Sequence, residues 1–147
     1  ASDVYKRQEE NNTHISGLVK LHLYTVATFD GGQIFAEMQD SVTGIRIGHA
    51  TMDIRYHAGG SEPQTVIPGQ ELTMMMEFQA IDALIPAGHG IRLVLTETGE
   101  DYLAPACGNA CPVHVISTES KIIIPYITEN KSEGFITPQS LDAANNQ

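Results

Sequence analysis

The sequence predicts an all-β fold, an antiparallel sandwich or barrel of about eight strands. Three observations carry that expectation. Apolar and polar residues alternate with period two along most of the chain, the mark of half-buried strands. Gly- and Pro-rich turns recur at fairly regular spacing. No apolar stripe of helical period runs longer than about two turns.

The elements follow in order. Val19, Leu21 and Leu23 point one way, with Lys20, His22 and Tyr24 opposite. Phe29-Asp30-Gly31-Gly32 supplies a turn. Ile34, Ala36 and Met38 form the next inward set, against Glu37 and Gln39. A short strand around Ile45 and Ile47 is punctuated by Thr43-Gly44 and Gly48, and Met52, Ile54 and Tyr56 alternate after it. Residues Ala58 to Gly69 read as a long polar loop ending in a Pro68-Gly69 turn. Leu72, Met74, Met76 and Phe78 make an inward stripe, which leaves Met75 on the other side. A short segment from Asp82 to Ile85 ends at Pro86, and Ala87-Gly88 turns into Ile91, Leu93 and Leu95. Gly99 to Pro112 reads as an irregular loop. Val113–Ser117 and Lys121–Ile127 read as two final strands, and the chain turns polar from Thr128. The expected organisation is a leader of foreign origin at 1–8, a sandwich domain at 9–128 and a polar C-terminal tail at 129–147.

The foreign leader is read from Ala1–Gln8, ASDVYKRQ. The DNA string GCG TCA GAT GTG TAT AAG AGA CAG encodes it in order and looks like the end of a transposase adapter used in sequencing libraries. Natural sequence is then expected to begin near Glu9, with whatever preceded it lost.

Composition excludes several function classes. Eighteen acids against eight bases give a formal net charge of -10, which repels phosphate backbones and anionic membrane surfaces. Nucleic acid is therefore not an expected partner. No stretch approaches the roughly 20 apolar residues of a membrane span. The absence of Trp argues against a sugar-stacking face.

Three stretches together resemble the C-terminal, non-catalytic domain of the X-Pro dipeptidyl-peptidase and cocaine-esterase-like serine hydrolases. Ile15–Asp40 has a G-x-V strand, a turn and a strand ending in x-D. Gly44–Tyr56 has a Gly, then a strand ending in x-R-Y. Val66–Gly99 has a P-G turn at Pro68-Gly69, a strand, Asp82 and then Ala87-Gly88-His89 leading into a strand. The resemblance covers about Ile15 to Ile127. It departs at Gly90, where the family usually has Arg, and CGNAC lies outside the pattern. The resemblance implies a galactose-binding-like jelly roll that packs against a preceding α/β-hydrolase domain, which is missing here. The parent's implied activity is removal of X-Pro dipeptides or hydrolysis of acyl esters. The rival reading is a free-standing carbohydrate-binding module.

No catalytic machinery is expected in the chain itself. It has no G-x-S-x-G elbow, and Ser61, after Gly60, continues into a loop. Asp82 and His89 flank the Pro86–Gly88 turn. They could be an acid and a base, but side chains bonded to turn backbone are the preferred reading. Cys107, Cys111 and His114 offer too few ligands at an unusual spacing for zinc. A local disulfide between Cys107 and Cys111 is preferred, with free thiols the alternative. Glu100-Asp101 could hold calcium but reads better as solvated loop. His14, His22, His49 and His57 are scattered along strands and their ends. No cofactor or metal is expected.

Overall fold

Alternation becomes two facing sheets. The computed structural model describes residues 2–8, 11–97, 113–116, 118–130 and 135–142, with side chains over 11–97, 113–116 and 118–127. Among them are eleven strand segments: β1 (Ser2–Gln8), β2 (Thr13–Gly17), β3 (Lys20–Ala27), β4 (Gln33–Asp40), β5 (Arg46–Asp53), β6 (Glu71–Glu77), β7 (Ile81–Ile85), β8 (Gly90–Thr96), β9 (Val113–Val115), β10 (Lys121–Asn130) and β11 (Phe135–Asp142). One sheet has the order β1-β8-β4-β5, and every described pairing in both sheets is antiparallel.

The second sheet is built from long, interrupted strands. β2 and β3 follow one another along a single line. β7 and β6 pair with them on one side, and β10 and β9 on the other, with β11 outside β10. Three pairs of segments thus merge, and eleven segments make eight strands. With the merged segments counted as single strands, every connection crosses between the sheets except the β4–β5 and β10–β11 hairpins. This is jelly-roll connectivity.

The interruptions line up. Leu18–Val19 separates β2 from β3, and Phe78–Ala80 separates β6 from β7 at the same height, where Phe78 N donates to Val19 O at 2.9 Å. Across from them Pro125, which has no N–H to give a ladder, lies against Gly17. A Cβ on Gly17 would come within 3.1 Å of Pro125 Cγ, and its φ of 127° suits glycine. A crease therefore runs across three strands. The register of the ladder slips by one residue over it, from Thr13↔Ile85 through Gly17↔Ile81 to Lys20↔Glu77. A second gap, between β9 and β10, is bridged by a side chain: Ser120 Oγ accepts from Tyr24 N at 3.1 Å and donates to Ile116 O at 2.8 Å.

The inward stripes form one core between the sheets. Leu21, Leu23, Met74, Met76 and Ile124 from one sheet meet Ala36, Met38 and Leu93 from the other, all but sealed from solvent. Met75 faces outward and is half exposed, as the alternation predicts. The turns at Pro68-Gly69 and Ala87-Gly88 also form as predicted. Gln70 N donates to Ile67 O, His89 N donates to Pro86 O, and the glycines take φ of 87° and 81°.

The structure differs from the sequence reading in three places. Gly48 is not a break: Arg46–Asp53 is one strand through it. The glycine is a close-approach site, since a Cβ there would meet Ile81 Cδ1 at 2.7 Å. Ile54–Tyr56 is not strand but a single 3-10 turn, capped by Asp53 Oδ1 accepting from Arg55 N at 2.9 Å, with Ile54 fully buried. The backbone of two segments without inward stripes, Ser2–Gln8 and Phe135–Asp142, nevertheless pairs as edge strands.

Candidate functional site

A tightly held polar group sits at one end of the sandwich, where the β4–β5 and β7–β8 turns meet. Asp40 ends β4 and is buried. Its Oδ1 accepts from Val42 N at 2.8 Å and Thr43 N at 2.9 Å, and its Oδ2 faces His89 Nδ1 at 2.8 Å. Burial works against its ionisation, but the Thr43 amide, the His89 ring and the Val42 amide outweigh that cost, and its pKa falls to about 2. An ionised Asp40 makes His89 Nδ1 the donor.

The same two turns are laced by backbone. Ser41 N donates to Gly90 O at 2.9 Å, and Gly90 N donates to Ser41 Oγ at 2.8 Å. Ala87 N donates to Asn12 Oδ1 at 2.8 Å, bringing in the entry to β2. The clamped β4–β5 turn lifts Val42 and Ile45 into solvent, 63% and 67% exposed.

Sequence reasoning placed Asp82 and His89 at one turn, and the structure gives them different partners. Asp82 lies on β7, with its carboxylate against His14 Nε2 from β2. His89 follows the turn and belongs to Asp40. Asp40 itself was not singled out as a site residue, although the x-D ending of its strand and the Asp-to-Gly44 turn are visible in the sequence. Cys107, Cys111, Glu100 and Asp101 lie outside the described residues.

Elsewhere among the described residues several charges pair at the surface. Glu37 accepts from Arg46 Nε at 2.6 Å and from Gln39. Phe35 stacks on His49, ring centroids 5.6 Å apart. Arg55 grips both oxygens of Asp53, and that hydrogen bonding holds the Asp53 carboxyl below its usual range. No cluster of three or more His, Cys, Asp or Glu side chains suited to a metal occurs among the described residues. No helix among them is long and apolar enough to cross a membrane. Asp40 spends both carboxylate oxygens on the turns, and Ser41 spends its hydroxyl on Gly90. The arrangement fixes a surface rather than arming a nucleophile.

The sequence matches the family described as the X-Pro dipeptidyl-peptidase C-terminal non-catalytic domain over residues 8–113. The chain belongs to this family. The matched span covers β2 to β8 whole, and so contains both turns that Asp40 and His89 join. Solved structures share the fold of this family domain. A CocE/NonD family hydrolase from Staphylococcus aureus aligns with TM-score 0.61 and 13% identity, over 84% of this chain and 30% of that one. An α-amino acid ester hydrolase aligns with TM-score 0.57 and 13% identity, over 95% of this chain and 24% of that one. An aminopeptidase from a marine sediment archaeon, Thaumarchaeota archaeon, aligns with TM-score 0.56 and 11% identity, over 63% of this chain and 17% of that one. The family domain thus spans less than a third of each of these chains. No curated protein matched the sequence.

Proposed function

We propose that this accessory domain serves a serine hydrolase, packing against its α/β-hydrolase domain and walling part of the active-site entrance. The parent's reaction would be release of X-Pro dipeptides or hydrolysis of acyl esters, through an acyl-enzyme formed on a Ser of the preceding domain. The observation that carries this reading is the family match across most of the chain. The clamped turn supports it: Val42 and Ile45 are large apolar residues held in solvent by the buried Asp40, a rigid apolar knob suited to a neighbouring domain.

The native DNA upstream of Glu9 tests the parent's class. A hydrolase domain with G-x-S-x-G is expected there, and continuous coding sequence without one would overturn the reading. Packing is tested by co-expression with that domain. Val42→Asp with Ile45→Asp is expected to weaken co-purification at least about tenfold, as loss of a buried apolar anchor does. Unchanged association would move the contact to another face.

A further inference from the structure

β1 is a poor match for the place it occupies. Its backbone pairs antiparallel with β8 from Ser2↔Leu95 to Gln8↔Gly90. On β8, Ile91, Leu93 and Leu95 belong to the core between the sheets. Positions directly opposite core-facing residues lie on the same face of a sheet, where apolar residues belong. Here those positions hold Arg7, Tyr5 and Ser2. Val4, the one aliphatic residue of the segment, falls at the register shift between Asp3 and Tyr5. The family match begins only at residue 8, so the pattern that accounts for β2 through β8 does not account for β1.

The place itself is well made. β8 reads GIRLVLT, with a single charge and no Pro, and β4 covers its other edge. Left open, such an edge is a template for another strand, and beyond Arg92 it has none of the charges or prolines that protect true edge strands. We infer that the β8 edge is a strand-accepting site, and that its natural occupant is the extended segment leading in from the preceding domain. That segment carries apolar residues at alternate positions, opposite Ile91, Leu93 and Leu95. Backbone pairing fixes the attachment and the alternation fixes its phase, as in other cases of strand addition. The occupant's identity rests on the hydrolase reading above. The slot and its phase do not.

The test uses the full chain and hydrogen exchange at the β8 amides that face β1, with those facing β4 as internal reference. Ser2→Val with Arg7→Val is expected to raise protection of the first set about tenfold, as a better-held edge requires. Tyr5→Pro with Lys6→Pro removes adjacent donors and is expected to strip that protection. A synthetic seven-residue peptide with Val at the positions opposite Ile91, Leu93 and Leu95 then restores it, and a peptide of the opposite phase does not. Unchanged protection in the apolar variant, equal rescue by both peptides, or pairing between two copies of the chain in place of peptide binding would each overturn the inference. Upstream sequence without a hydrolase would leave these readouts standing and remove only the named occupant.

Discussion

Asp40 Oδ2 and His89 Nδ1 lie 2.8 Å apart across 49 residues of sequence, and this contact fastens one sheet's hairpin to the turn entering the neighbouring strand. The carboxylate also terminates two amides of its own turn. Replacing it with Ala removes the acceptor of three donors, the Val42 and Thr43 amides and the His89 ring, at a part-buried turn. Asp40→Ala is expected to cost about 1–3 kcal/mol, the scale for donors that lose a charged acceptor where water can partly replace it. Urea unfolding at neutral pH measures it.

The same group sets an acid limit. Its folded pKa is about 2, below the roughly 3.9 of an unfolded Asp. A depressed acid stabilises the fold above its unfolded pKa and loses that contribution as pH falls through its folded one. The urea midpoint of the native chain is expected to drop between about pH 4 and pH 2. In Asp40→Asn that part of the slope disappears, and an identical slope would exclude Asp40 as its source.

Gly48 is tested by its neighbour. Gly48→Ala pushes a methyl into Ile81 Cδ1, with an expected cost of about 1–2 kcal/mol. Ile81→Val removes the clashing carbon. In a double-mutant cycle the two changes should couple favourably, so that Gly48→Ala costs less in the Ile81→Val background.

The phase of β6 gives a contrast within two adjacent residues. Met74→Ala, in the core, is expected to cost about 2–5 kcal/mol, whereas Met75→Ala, half exposed, should stay within about 0.5 kcal/mol. Equal costs would mean that the strand register is wrong.

Ser120 is a side chain standing in for a strand. Ser120→Ala leaves Tyr24 N and Ile116 O without that partner, at about 1–3 kcal/mol. The change should also speed exchange of the Tyr24 amide ahead of its neighbours in β3, an NMR-visible signature.

Much of this was readable in the sequence because alternation is a local property. Leu21-Leu23, Ile34-Ala36-Met38, Leu72-Met74-Met76 and Ile91-Leu93-Leu95 declare their faces without reference to anything distant. What escaped reading depends on distant partners. Phe135–Asp142 has no inward stripe and includes Pro138, yet its backbone completes a ladder with β10. Gly48 looks like punctuation until Ile81 arrives from another strand to fill the missing Cβ. Asp82 and His89 are near each other in sequence, but pairing with β2 and β4 draws them to different partners. The polar end of the sandwich was legible only as turn residues; which turn would hold which was a matter of topology.

The crease at Leu18–Val19, Phe78–Ala80 and Pro125 does more than bend a sheet. In an unbroken ladder one inserted residue would turn every side chain beyond it to the wrong face. Here the offset of one residue between the two halves is already absorbed at the crease. It works as an expansion joint. Relatives could gain or lose a residue there while the core stripes on both sides keep their faces, which would let one architecture persist at identities as low as 11–13%.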